Sequence, residues 1–502
     1  MLDQLNLLAG GFQTAFSVYH VSLMVAGVLL GILVGVLPGL GAPNGVTLLL
    51  PLTFTMPPVA AIILLSSMYW GALFGGSTTS ILFNIPGEPS SVATTFDGHP
   101  MARKGDAAHA LAIAFLSAGF GALAGVIVVT LVANAIAEFA LKFSPAEYFA
   151  VYFLTFCSYA GMSGGKPLKT IAALLVGLIL AGVGTDTVSG EMRLAFGTDI
   201  LVGGISFLAA VVGLFGIGEL LVTVEEGLAF KGLHARMSWR TVWHAAKEMP
   251  RYGWTLLRST AIGCWMGITP GGPTAASFMS YGIAKRFSRR SEHFGQGEPE
   301  GVVAPETADH SAGVSALLPM LALGVPGSAT AAVMMGGLMI WGLQPGPMLF
   351  IEQKDFVWGL IASMYMANVV AIVLVLATIP LFAAILRAPF AIIGPLIVVV
   401  CLIGAYTIGG KMFDVYLALV FGVVGYVFKK LDYPIAPLIL AMVLGDKTED
   451  AFRQSMLLSD GSLRIFYANG LVGTLMSAAL LLLAWSFLSP LWRKRVPAAG
   501  AA

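Results

Sequence analysis

Between Asp3 and Glu88 the chain carries no Asp, Glu, Lys or Arg. Further charge-free runs cover 107–137, 148–165, 170–185, 200–218, 259–284, 310–351, 356–386, 388–410, 415–428, 433–445 and 465–492. Only 11% of the 502 residues are charged and 57% are hydrophobic, whereas an ordinary soluble chain carries about 25% charge. A helix crosses the hydrocarbon core with about 20 apolar residues. Spanning strands would alternate in polarity, and these runs do not. The expected fold is an all-α polytopic membrane protein of about 11–12 transmembrane helices plus two re-entrant hairpins.

A net charge of +1 points to no nucleic-acid or acidic partner. Cys157, Cys264 and Cys401 stand singly inside apolar runs and read as packing residues, with no disulfide or metal spacing. The start of the chain, with Asp3 and no basic region, suggests no cleaved signal peptide. Gly164-Gly165-Lys166-Pro167 briefly resembles a phosphate loop, but Pro167 stands where a hydroxyl residue is needed. No metalloprotease helix or nucleophile elbow occurs. The chain is therefore not expected to be an enzyme, and energy for any transport should come from an ion gradient.

Lys and Arg gather in short cytoplasmic loops. Arg103 with Lys104, the segment 231–258, Lys285 to Arg290, Arg387, Lys429 with Lys430, and Arg493-Lys494-Arg495 are assigned inside on that rule. The run 259–284 has basic clusters at both ends and Thr269-Pro270-Gly271-Gly272-Pro273 at its centre. Proline and glycine there allow a reversal, which membrane depth tolerates only when the backbone is buried in protein or lines a wet cavity. A re-entrant hairpin or a single Pro-kinked span both satisfy the length.

The N-terminal half repeats the device. Gly35-Val36-Leu37-Pro38-Gly39-Leu40-Gly41-Ala42-Pro43 matches Gly267 to Pro273, and Asn84-Ile85-Pro86-Gly87 matches Gly324-Val325-Pro326-Gly327. The expected organisation is repeat 1 over 1–230 (hairpin near 22–52, broken helix near 57–101), a basic linker at 231–258, repeat 2 over 259–492 (hairpin 259–284, broken helix near 302–345) and a tail at 493–502. The charge assignment puts an odd number of crossings between the two hairpins, so the repeats are expected to be inverted. Paired interruptions in inverted repeats are the sequence pointer to a transporter binding site. A broken helix exposes N–H groups that attract anions, and unwound carbonyls can hold a cation.

Candidate substrate- or ion-binding residues therefore cluster at the breaks. They are Pro38, Gly39, Gly41, Asn44, Ser77, Thr78, Asn84, Pro86, Gly87, Ser90 and Ser91 in the first half, with Thr47, Thr79 and Glu88 nearby. In the second half they are Thr269, Pro270, Gly271, Gly272, Thr274, Pro326, Gly327, Ser328 and Thr330, with Ser277 nearby. Gly87 and Gly327 are expected to serve close approach and positive φ. Each hydroxyl could instead bond its own helix or glue neighbours. Asp309 and His310 either lie at membrane depth, where an ionisable group implies function, or end a hydrated loop carrying Glu298 and Glu300. Asp186 and Arg193 fit an external turn equally well.

Gly35 to Pro51 (GVLPGLGAPNGVTLLLP), Asp97-Gly98-His99-Pro100-Met101-Ala102-Arg103-Lys104-Gly105, Gly182 to Asp186 and Ala304 to Thr330 resemble the large membrane subunit of tripartite tricarboxylate transporters over nearly the whole chain. The resemblance implies a multi-pass protein of the bacterial inner membrane, a small four-helix membrane subunit and a periplasmic solute-binding protein. It also implies import of citrate or another small carboxylate coupled to Na⁺ or H⁺. Relatives carry an amide pair where this chain has Asp309-His310, which leaves the coupling ion open. A stand-alone carrier or antiporter, or a membrane-embedded enzyme or scaffold, are the competing readings.

Overall fold

A computed structural model describes residues 2–37, 40–161, 166–186, 189–226, 238–269, 271–385 and 390–493. The expected sites Pro38, Gly39 and Pro270 lie outside these, as does the glycine pair of the phosphate-loop lookalike. The described chain is helical apart from one antiparallel pairing of Gly184–Thr185 with Met192–Arg193. Among the described residues, seven helices are long and apolar enough to cross a membrane: Val18–Val36, Pro58–Phe83, Pro89–Ala140, Phe207–Glu225, Lys354–Thr378, Met412–Lys430 and Gly470–Leu488. Three shorter apolar helices are Pro167–Ala181, Ala329–Ile340 and Gly394–Thr407. The protein is an all-α polytopic membrane protein.

Contacts group the chain into two units. One joins Met1–Glu138 to Val211–Tyr426, the other Phe139–Ala210 to Val427–Ala502, so neither unit coincides with one sequence half.

In the first unit, helix Pro58–Phe83 is buried from Ala60 to Leu82. Helix Val18–Val36 lies against it along Gly27, Gly31 and Gly35, spaced by four so that they form one face. A Cβ at these positions would run into the carbonyls of Leu64, Met68 and Ala72. Small residues let membrane helices approach this closely. The second half repeats the contact with each partner on the long helix numbered 240 higher: Gly263 meets Ala308 and Gly267 meets Ala312. The tips repeat it too. Gly87 lies against Gly35 and Gly76, while Gly327 lies against Gly267 and Ala316. Asn84 (φ 58°) and Gly324 (φ 67°) end the two long helices in the left-handed region.

The two equivalent helices cross antiparallel. Leu73 abuts Gly313, the Phe74 ring lies 4.5 Å from His310, and Ser77 reaches Glu306, so partners descend as the chain ascends. Equivalent helices packed antiparallel are related by a pseudo-two-fold axis, the arrangement of inverted repeats.

Helices Gly253–Gly267 and Gly272–Phe287 form an antiparallel hairpin, with Ser280 donating to Ser259 at 2.7 Å and Gly272 against Met266. A single kinked span is excluded, because the arms fold back on each other. The left-handed glycine opening each second arm is Gly41 (φ 60°) or Gly271 (φ 77°). The backbone equivalence is therefore Gly41-Ala42-Pro43 with Gly271-Gly272-Pro273.

The second unit packs Pro145–Gly161 and Pro167–Ala181 with Ile435–Leu458 and Gly470–Arg493, around the rings of Phe149, Phe452 and Phe466. Arg193 donates to both oxygens of Glu449 (2.7 and 2.9 Å), and Arg453 bridges Asp186 (2.8 Å) to Glu449 (2.6 Å). Asp186 and Arg193 thus tie the turn between Gly184–Thr185 and Met192–Arg193 to Ile435–Leu458.

Candidate functional site

Helix Glu300–Ser315 is buried over Gly301–Ser315. Glu306, Asp309 and His310 are spaced i, i+3 and i+4, so they share one face, and each is at most 1% exposed. The hydrated-loop alternative for Asp309 and His310 is overturned. Ser77 donates to Glu306 Oε2 at 2.7 Å and Thr94 to Oε1 at 2.5 Å. The first half thereby supplies both hydroxyls for a carboxylate of the second.

The Nδ1 of His310 lies 3.1 Å from the Glu306 carbonyl oxygen, which can only accept, so Nδ1 carries the proton. Its Nε2 is buried without a hydrogen-bond partner among the described residues. Both Asp309 carboxylate oxygens are likewise buried and unpartnered. Ser90, Glu306 and Glu88 lie within electrostatic reach of Asp309. Tyr69, the pseudo-symmetric counterpart of Asp309, faces Ser328, Asp309 and Glu88.

Glu88 joins this cluster to the first hairpin. Its carboxylate accepts the backbone N–H of Ala42, at the start of helix Gly41–Leu49, and lies beside Gly41. In the second half the corresponding tie is all backbone, Gly271 N–H to Gly327 oxygen at 3.0 Å. The helix N-terminus at Gly41 is thus already matched to a carboxylate, as its partial positive charge favours.

The expected residues divide accordingly. Gly41, Ser77 and Ser90 surround the carboxylates, and Asn44, Gly87, Gly327, Ser328 and Thr330 are buried in the same unit. Others serve local structure. Thr78 donates to Phe74 oxygen, Ser91 to Glu88 oxygen and Thr269 to Met266 oxygen. Ser328 caps helix Ala329–Ile340 through the Ala331 N–H. Asn84 is exposed at its helix end, Pro86 and Thr274 are half-buried, and Gly272 and Pro326 are packed at the turns.

A family model described as the tripartite tricarboxylate transporter TctA family matches residues 21–440. The chain belongs to this family. All of the carboxylate cluster lies within the matched span. The chain is similar to a protein of Agrobacterium vitis named "Uncharacterized 52.8 kDa protein in TAR-I ttuC' 3'region", at 37% identity over 99% of this chain and 98% of that one. It is also similar to an Agrobacterium vitis protein of the TAR-II ttuC' 3' region, at 35% identity over 46% of this chain and 97% of that protein. No solved structure matches. As a TctA-family member the chain is a multi-pass membrane component of a tripartite transport system.

Three groups escaped the sequence reading. Glu306 lies within the Ala304 to Thr330 stretch, and its spacing from Asp309 and His310 marks a helix face. Thr94 lies one helical stretch beyond the first break, and its role depends on the crossing. Asp97, fully buried, accepts the N–H groups of Gly295, Gly297 and Glu298 at 2.8 Å each and the Tyr281 hydroxyl at 2.8 Å. It clamps the loop preceding Glu300–Ser315 to the first half.

Proposed function

We propose that this chain is the large membrane subunit of a binding-protein-dependent secondary transporter that imports a tricarboxylate or another small carboxylate on an ion gradient. The observation that carries this reading is Asp309, buried on the helix that crosses Pro58–Phe83, with neither oxygen at hydrogen-bonding geometry to a partner among the described residues and the Ser90 hydroxyl facing it. A carboxylate at that depth is tolerated when a proton or cation neutralises it, which is the behaviour of a coupling site for H⁺ or Na⁺. Substrate delivery falls to a periplasmic solute-binding protein, with a small four-helix subunit beside this chain in the bacterial inner membrane.

The test is uptake into vesicles holding both membrane subunits, supplied with the binding protein and its carboxylate. Uptake should collapse when the ion gradient is dissipated and be indifferent to ATP at constant gradient. Asp309→Asn should lose the dependence on the coupling gradient. Uptake that follows ATP alone sinks the proposal.

A further inference from the structure

His109, His244 and Glu248 lie outside the carboxylate cluster, and the transport reading gives them no task. His109 stands in the first turn of helix Ala107–Ala140, just after the break at Gly105 (φ 97°). His244 and Glu248 are one turn apart on helix Trp239–Glu248, within the basic segment between the repeats. The His109 Nε2 is 3.2 Å from Glu248 Oε2, and the His244 Nδ1 is 3.6 Å from Glu248 Oε1. One ligand atom from each residue lies within 4.8 Å of the others.

We propose that these three side chains form a binding site for a divalent transition-metal ion of the zinc class. Imidazole nitrogens and a carboxylate oxygen hold such an ion at about 2.0–2.2 Å, which sets ligand atoms about 3.3–3.6 Å apart around a tetrahedron. The His109–Glu248 and His244–Glu248 contacts of 3.2 and 3.6 Å are close to that spacing, and one ligand atom of each residue within 4.8 Å of the others leaves only side-chain rotation to close the set. Three protein ligands leave the fourth position to water, and it faces solvent because the His244 side chain is 72% exposed. On the same helix, the Lys247 ammonium is engaged over the Trp243 ring. The ligands come from two elements far apart in sequence, so the ion fastens Trp239–Glu248 to the start of Ala107–Ala140. A His–Glu ion pair explains the short contacts pairwise, but it gives His109 and His244 no reason to converge on both oxygens of one carboxylate.

The test uses the full chain, purified in detergent without a histidine tag, and titrated with Co²⁺ by visible absorption and with Zn²⁺ by calorimetry. One equivalent should bind, with the intense ligand-field bands of four-coordinate Co²⁺. His244→Ala, at an exposed position that should leave folding intact, should weaken binding at least about tenfold, the range that losing even an outer-shell partner produces. His109→Ala and Glu248→Gln should do the same. Absence of stoichiometric binding, or equal affinity in the wild type and His244→Ala, overturns the proposal.

Discussion

Gly87→Ala and Gly327→Ala test the pseudo-symmetric tips at a single carbon. A Cβ on Gly87 would overlap the Gly35 carbonyl oxygen while standing 2.7 Å from Gly76 Cα and 2.8 Å from Thr79 Oγ1. A Cβ on Gly327 would overlap the Gly267 carbonyl oxygen and stand 3.0 Å from Ala316 Cα. Neither glycine has a left-handed φ; those positions are Asn84 and Gly324. The expected need for positive φ at Gly87 and Gly327 is thus corrected, and space alone forbids a side chain. Backbone on two sides cannot rotate away, so the tip must move off the partner helix. Overpacking of this kind costs about 1–3 kcal/mol, or about 5- to 150-fold in the population of the native tip. Uptake in vesicles should fall by that order in both variants, with membrane content by immunoblot unchanged. Gly10→Ala, with nothing within 4 Å, is the control. Wild-type uptake in both variants would refute the argument, and loss in only one would break its symmetry.

Ser77→Ala with Thr94→Val strips both hydroxyl donors from Glu306, costing about 1–3 kcal/mol for each lost partner of a buried acceptor. Uptake should collapse, and Glu306→Gln in the same background should recover thermal stability because an amide tolerates the apolar surroundings better than a carboxylate. Single cysteines at Arg251 and Arg290, in a cysteine-free background, should both resist an impermeant thiol reagent in intact cells and react once the membrane is opened. Labelling of one alone places the hairpin arms on opposite sides. Arg193→Ala should cost about 1 kcal/mol or less and lower the melting temperature only slightly, because the Arg193–Glu449 pair is about one-third exposed on each side. The difference should shrink in high salt, and a large salt-independent loss would show that the turn is held by something else.

The membrane class, the breaks at 84–87 and 324–327 and the duplicated hairpins were legible because hydropathy and Gly/Pro placement act over a few residues. A charge-free run has no other solvent, and an αL position at a helix end selects Gly or Asn locally. Asp309 and His310 were visible as ionisable residues, but burial was not, since Glu298 and Glu300 upstream made a wet loop equally acceptable. Thr78, Ser91 and Thr269 turned out to satisfy their own backbone, which composition cannot distinguish from a site hydroxyl.

The sequence by itself determined a helical membrane protein with two copies of one broken-helix device. Only the tertiary structure decided which side chains the device brings together. Ser77 and Glu306, 229 residues apart, meet where Pro58–Phe83 crosses Glu300–Ser315, and Asp97 and Tyr281, 184 apart, meet where Val92–Met101 reaches the second hairpin. Within each half, Gly31, Gly35, Gly263 and Gly267 seat a hairpin arm on its own long helix, and at the crossing Gly313 admits Leu73 and Tyr69. A glycine announces that something comes close, but its partner is chosen by the packing of the whole unit.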